Sequence, residues 1–390
     1  MKSCLRFVAV ACLIGLAATP SGAVDLGENI SLHGFGTWAY GKTDGNLYLT
    51  GSEEGDYGNT DFYLNIQAQP SEKLSISAQV GWVNDYFGTN VDFDYAFAEY
   101  SFSDAAKLRM GRVKHPFGIY GEIQRVGVLR PFLTLPQTIY GTFGFIGAGY
   151  DGIGLTGQTY SENGWGLRYD IYGGELRTDL EISNLLLFPI FQDPAFLNDE
   201  VARYEGAVTD MLGFRFDIST PVNGLRFGTS AYTGTEAESQ IFTQGSDRTI
   251  LGAHVEYGAD GIMLRAEYLD FEQKDNTVDP VDLVSSNYYV EASYRFANNW
   301  QIAARYDEMD LQLVGLENLP LTLQEAFRHE EVSFGLNYWL SSHFVIKASL
   351  HKVSGLRFAS IETDAPLDVI FGNQFDKNTD LIQFGGQFSF

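Results

Sequence analysis

From about residue 29 onward the chain repeats one pattern, with apolar and polar side chains taking strict turns over segments of about ten residues. In 164–173, Trp165, Leu167, Tyr169 and Ile171 alternate with Gly166, Arg168, Asp170 and Tyr172; in 209–220, Leu212, Phe214, Phe216 and Ile218 alternate with Gly213, Arg215 and Asp217. Further on, Val290, Ala292, Tyr294 and Phe296 stand against Glu291, Ser293 and Arg295, and Ile302, Ala304 and Tyr306 against Gln301, Ala303, Arg305 and Asp307. A period of two is that of a strand whose faces meet different surroundings. The pattern predicts sixteen strands, over 29–40, 60–70, 73–83, 92–102, 106–113, 148–160, 164–173, 209–220, 224–234, 248–258, 261–271, 286–296, 299–309, 329–340, 343–353 and 380–390.

Short and long connections alternate between them. The short ones read Pro70-Ser71-Glu72, Ser103-Asp104-Ala105, Ser161-Glu162-Asn163, Pro221-Val222-Asn223, Ala259-Asp260, Ala297-Asn298 and Ser341-Ser342, all turn-favouring. The longer ones fall at about 41–59, 84–91, 114–147, 174–208, 235–247, 272–285, 310–328 and 354–379. Short turns at one end and long loops at the other are the pattern of a bacterial outer-membrane barrel. A soluble sandwich carries the same stripe with its apolar face inside. Sixteen strands, however, close into a tube too wide for side chains to fill, so the interior is wet and mid-strand charges pointing inward are expected. Trp82, Trp165, Trp300 and Trp339 stand near segment ends, where interfacial aromatic girdles belong. The fold class expected is all-β: a closed antiparallel transmembrane β-barrel of about 16 strands, spanning 24–390. The last segment, DLIQFGGQFSF, places Ile382, Phe384, Gly386, Phe388 and Phe390 on one face. It resembles the terminal signature of outer-membrane barrel proteins, which the barrel-assembly machinery reads, and that resemblance makes Phe390 an assembly signal.

At the other end Lys2 and Arg6 precede an apolar run from Phe7 to Ala18, with small residues at Ser21-Gly22-Ala23. This predicts a secretory signal peptide over 1–23; the run is too short for a membrane anchor, which needs roughly 20 apolar residues. Both cysteines, Cys4 and Cys12, lie inside it, so a cleaved chain has no disulfide and no cysteine metal site. Ala9-Val10-Ala11 lacks the leucine of a lipoprotein signal before Cys12. The chain carries a formal charge of −25, and loss of Lys2 and Arg6 with the leader brings it near −27. Nucleic acid is thereby excluded as a partner.

The connection at 108–147 departs from alternation, with three prolines and the aromatics Phe117, Phe132, Phe143 and Phe145. A loop this long is functional or packed. Folded against the barrel wall, it buries those rings and leaves polar residues to line a constriction. Its position resembles the inward third loop of sixteen-stranded porins. Its wording, Arg109-x-Gly111-Arg112-x-Lys114-x-Pro116-Phe117-Gly118, then Arg130-Pro131 and Leu135-Pro136-Gln137, is similar to the phosphate-selective O/P group of porin-like proteins, although this chain has few of that group's lysines. The resemblance implies a water-filled channel for small hydrophilic solutes and ions, assembled as a homotrimer in outer-membrane lipid and lipopolysaccharide, with no cofactor.

Candidate constriction residues are Lys114, His115, Glu122, Arg125 and Arg130, of which Arg125 and Arg130 are the leading pore contacts. Strand parity supplies a pore wall of Glu99, Arg109, Arg168, Asp170, Arg215, Arg226, Arg265, Arg295, Arg305 and Lys347, interspersed with Asp217, Glu256, Glu267, Glu291 and Asp307. Rings of fixed charge at a narrow point set ion preference, and the local excess is basic, which points to tolerance of anions. The competing reading is that these arginines pair with lumenal carboxylates and stiffen the wall. Acidic residues crowd 174–208: Glu175, Asp179, Glu181, Asp193, Asp199, Glu200 and Glu205. They either bridge to lipopolysaccharide phosphates through divalent cations or solvate the loop.

A lipid or ester hydrolase and an adhesive barrel are the alternatives. His33, His115, His254, His329, His343 and His351 are scattered, with no Gly-x-Ser-x-Gly, no His-Glu-x-x-His and no metal-ligand spacing. No metal site and no catalytic set is therefore expected, and the function expected is passage of solutes.

Overall fold

The computed structural model describes residues 24–27, 29–49, 51–85, 88–141, 145–179, 205–236, 244–278, 280–297, 299–315, 325, 327–360 and 377–390. The signal-peptide expectation for 1–23 lies outside them. Among the described residues sixteen long strands form one closed sheet. They are β1 (Ile30–Asp44), β2 (Asp56–Ser71), β3 (Leu74–Asp85), β4 (Gly88–Ser103), β5 (Ala106–Lys114), β6 (Gly149–Tyr160), β7 (Gly166–Asp179) and β8 (Glu205–Ser219). Then follow β9 (Leu225–Glu236), β10 (Ser246–Ala259), β11 (Ile262–Asp275), β12 (Asp282–Phe296), β13 (Trp300–Val314), β14 (Arg328–Ser341), β15 (Phe344–Ser354) and β16 (Asn378–Ser389). Each pairs antiparallel with the next, and β16 returns to β1 from Phe35↔Ser389 to Asp44↔Asp380. Closure leaves no unpaired edge, which is what a sheet in lipid requires. Phe390 completes the seam: its N–H donates to the Gly34 carbonyl at 2.8 Å and its carbonyl accepts from Gly34 N–H at 3.0 Å.

Face parity follows the expectation. Leu212, Val290, Phe334, Leu350, Ile382 and Phe384 are exposed on the outside, while Asp170, Arg215, Glu291, Arg305, Asp307 and Gln383 are buried inside. In β10 the alternation is unbroken from Ser246 to Glu256. Most strands run further toward the long-loop end than their apolar stripe, as where β11 carries Gln273 and Lys274. Beyond the apolar belt the apolar residues move to the inner face, as at Leu269 and Phe271 of β11 and Leu311 and Leu313 of β13, so the outer stripe ends although the hydrogen-bond ladder continues.

Two expectations are corrected. The segment 84–91 is not a long loop: Asp85 pairs with Gly88, and only 86–87 separate β3 from β4. Trp339 is not in an outer girdle. It pairs with the inward, fully buried Val345, and its ring lies 4.7 Å from the Arg295 guanidinium. Trp82, Trp165 and Trp300 are exposed on the outside as expected.

Candidate functional site

β5 ends at Lys114 because Pro116 has no N–H to continue the ladder. The chain then turns into the barrel, and its described residues stay there until β6. The path is fixed by hydrogen bonds to wall side chains. Gly118 N–H donates to Ser230 Oγ at 3.1 Å, Ile119 N–H to Glu267 at 2.9 Å and Tyr120 OH to Glu291 at 2.6 Å. On the way back, Asn337 Nδ2 donates to Pro131 O at 2.8 Å, Gln137 N–H to Asp307 at 2.6 Å and Tyr140 OH to Glu267 at 2.8 Å. Lys347 Nζ holds the Gly127 carbonyl at 2.9 Å and also the Arg130 carbonyl. Hydrogen bonds to charged partners contribute about 1.5–3 kcal/mol each, so this loop is part of the wall. Gly118 sits at φ +56, where a Cβ would fall 2.1 Å from Glu267 Oε1; only glycine lets the backbone approach so closely. Phe117, Phe132 and Phe145 are buried as expected, Phe145 stacked on Phe271 at 3.9 Å. Phe143 lies outside the described residues.

The first outer loop also turns inward, with no proline or aromatic run to mark it. Its Leu47–Tyr48 pairs with Ala359–Ser360 of the last loop, and the fully buried Tyr48 donates its hydroxyl to Glu331 at 2.6 Å. Both inward loops hydrogen-bond to wall side chains of β11–β15. Along β10–β15 the inward residues Arg265, Arg305, Asp307, Glu331, Asn337, Lys347 and His351 are all buried. Along β4–β9 the charges beside the loop remain part-exposed: Glu99, Arg109, Arg168, Arg226, Lys114 and Glu122, with Arg125 of the loop the most exposed at 43%.

Opposite charges pair across strands on both sides. Arg265 bridges Glu256 at 2.8 Å and Glu291 at 3.4 Å, Arg305 bridges Glu331 at 3.1 Å, and Arg226 meets Glu256. Arg109 meets Glu99 at 2.8 Å, and within β8 Arg215 meets Asp217 at 2.8 Å. The wall-stiffening reading thus describes most of these arginines. On the wet side, though, the members of each pair are unequally placed. Arg125 is 43% exposed against 8% for Asp94. Arg226 is 21% against 5% for Glu256, and Arg168 17% against 5% for Asp170. In these three pairs the guanidinium is the more exposed partner, whereas in Arg215–Asp217 the order reverses, 4% against 11%. Glu122 likewise lies further out than Arg215, reaching from a short 3-10 turn over Gly121–Ile123 to Arg109 (3.6 Å), Arg215 (3.3 Å) and Arg168. Burial raises its pKa, but the three guanidinium groups outweigh it and hold the carboxyl at about 2.

Two constriction candidates are corrected. His115 is fully buried, its ring nitrogens 2.9 Å from Tyr172 OH and 3.3 Å from Gly147 O, and burial lowers its pKa to about 3. It packs the loop root and does not face the passage. Arg130 turns back on its own loop, Nη1 donating to Gln124 O at 2.9 Å, and is only part-exposed. Arg125 is the one exposed charged side chain among the described loop residues, lying 3.5 Å from Asp94 and 5.9 Å from the Tyr63 ring. Lys114 donates to the Glu122 carbonyl at 3.0 Å.

The sequence reading missed Asp61, Asp94 and Glu331 as lumenal anions. Asp94 escaped because a bulge between Gln79 and Val80 breaks parity, turning Asp94 inward beside Tyr95. It also missed a hydrogen-bonded line on β14 and β15: Ser349 Oγ lies 2.7 Å from His351 Nε2, and His351 Nδ1 lies 2.8 Å from Glu331 Oε1. Ser349 and His351 stand two apart on β15 and Glu331 reaches them from β14, and no local motif marks the set. All three are buried, with Phe132 over His351 at 6.0 Å between centroids. Among the described residues no group of three or more His, Cys, Asp or Glu side chains is placed to hold a metal ion. The acidic stretch at 180–204 lies outside the described residues.

The closed sheet with an inward third loop is the fold of bacterial outer-membrane porins. Salmonella typhi OmpF, solved with daunomycin, superposes with a TM-score of 0.59 at 14% identity, covering 95% of this chain and 100% of that one. An anion-selective porin from Comamonas acidovorans gives 0.56 at 12% identity, over 93% and 99%. Outer-membrane OmpT of Vibrio cholerae gives 0.57 at 10% identity, over 95% and 100%. No protein-family model matches the sequence, and no curated protein matches it.

Proposed function

We propose that the protein is an outer-membrane diffusion channel for small hydrophilic solutes and ions, with a weak preference for anions. The observation that carries this reading is Arg125, 43% exposed with Asp94 at 8% behind it, together with the part-exposed Arg168 and Arg226 beside more deeply placed carboxylates. A passing ion meets guanidinium groups first, and fixed charge at a narrow point sets ion preference. The reading extends to export by a leader cleaved after Ala23, insertion by the assembly machinery through Phe390, and a homotrimer in lipopolysaccharide-bearing membrane. A trimer form is described for Vibrio cholerae OmpT. Purified protein in a planar bilayer tests it: stepwise conductance with chloride more permeant than potassium is expected, and the absence of steps overturns it.

A second reading, ester hydrolysis, is favoured by the Ser349–His351–Glu331 line, whose geometry is that of a nucleophile, a base and an orienting acid. Burial of Ser349 beneath the loop weighs against it. Labelling of Ser349 by a fluorophosphonate supports the hydrolase reading; no labelling of folded protein dismisses it.

A further inference from the structure

Three arginines, on β5, β7 and β8 of the wall, converge on a single carboxylate supplied by the loop. Arg109 Nη1 lies 3.6 Å from Glu122 Oε1, Arg215 Nη1 lies 3.3 Å from Oε2, and Arg168 Nη2 also meets Oε2. We propose that Arg109, Arg168 and Arg215 form a binding site for the carboxylate of an anionic solute, and that Glu122 is its tethered occupant, displaced when the solute arrives. The proposal deepens the channel reading and rests on it for the route by which a solute reaches the site.

Three features support exchange. The arginines are held without help from Glu122: Arg109 by Glu99 at 2.8 Å, Arg215 by Asp217 at 2.8 Å, and Arg168 by Asp170 at 3.6 Å. The cluster therefore persists when Glu122 rotates away, as a preorganised site should. The Glu122 backbone is anchored separately, its carbonyl accepting from Lys114 Nζ at 3.0 Å, so the side chain can leave while the loop stays. Glu122 is also 21% exposed, on the half of the lumen that water reaches, whereas the arginine pairs under the loop are sealed. Both oxygens of one planar carboxylate are engaged, so the occupant the site already holds has the shape of the proposed ligand.

A competitor on a short tether acts at an effective concentration of the order of millimolar, so its removal exposes the affinity of the site. Isothermal titration of succinate into the detergent-solubilised full-length protein reads this directly. Glu122→Gln is expected to bind succinate about 10-fold more tightly than the native chain, and adding Arg168→Ala to it should abolish the gain. Equal affinity in the native chain and Glu122→Gln, or tight binding that survives Arg168→Ala, overturns the proposal. Inorganic phosphate is the second arm: a gain for phosphate equal to that for succinate overturns the assignment to carboxylates. If Glu122→Gln does not give a folded barrel, Glu122→Asp, too short to reach all three arginines, takes its place, and no gain in that variant overturns the proposal. The titration needs no conduction, so a protein that fails to conduct yet binds succinate in this pattern refutes the channel reading alone.

Discussion

Arg125 and Arg130 look equivalent in the sequence, two arginines five residues apart in one loop. In the folded chain one faces the lumen beside Asp94, and the other closes onto the Gln124 carbonyl. Arg125→Ala should lower the chloride-to-potassium permeability ratio by about 2-fold, whereas Arg130→Ala should leave it unchanged; equal shifts from both would contradict this assignment. His115 carries a pH prediction. It stays neutral in the fold down to about 3, while in the unfolded chain it ionises near 6.5. Between those values the unfolded chain takes up a proton that the fold refuses, so stability falls as pH drops from about 6.5 toward 3. His115→Gln should flatten that part of the Tm-against-pH curve, and an unchanged slope would argue against it. Parity along a strand showed which side chains point inward. It could not show which of those see water, because that depends on a loop whose path is set by contacts to β9, β11, β12, β13, β14 and β15.

At the scale of elements, the strands were legible and their outer ends were not. The outward apolar stripe exists only where one face meets lipid, so it marks the membrane belt; past it β11 and β13 carry their apolar residues on the inner face, which shifts the pattern by one residue and hides the strand's continuation. The third loop announced itself by prolines and aromatics, whereas the first loop's inward turn rests on one tyrosine meeting Glu331. The third loop is held to β15 through one ammonium group. Lys347→Met removes the donor shared by the Gly127 and Arg130 carbonyls and leaves both without it in a buried setting, at a cost of about 1–3 kcal/mol for each group left unpaired. Single-channel records of this variant should show larger and noisier steps. Quiet steps of native size would mean that the remaining bonds suffice to hold the loop.

For the whole molecule the decisive fact is closure. β16 pairs with β1 across ten residues, and Phe390 hydrogen-bonds both ways with Gly34. Removal of Phe390 should sharply reduce the amount of folded barrel recovered from cells, while barrels refolded in detergent keep the conductance of the intact chain; a changed conductance would place Phe390 in the passage itself. The closed sheet makes a tube, and of the charged side chains on the described third loop Arg125 is the exposed one. On the proposed reading the lumen beside it conducts and prefers anions. The most direct test is the reversal potential of the purified full-length protein in a planar bilayer under a potassium chloride gradient. Stepwise currents that reverse on the chloride side of zero, and move toward potassium when Arg125 becomes alanine, are the predicted result. No steps, or a potassium-side reversal unmoved by that substitution, would contradict it.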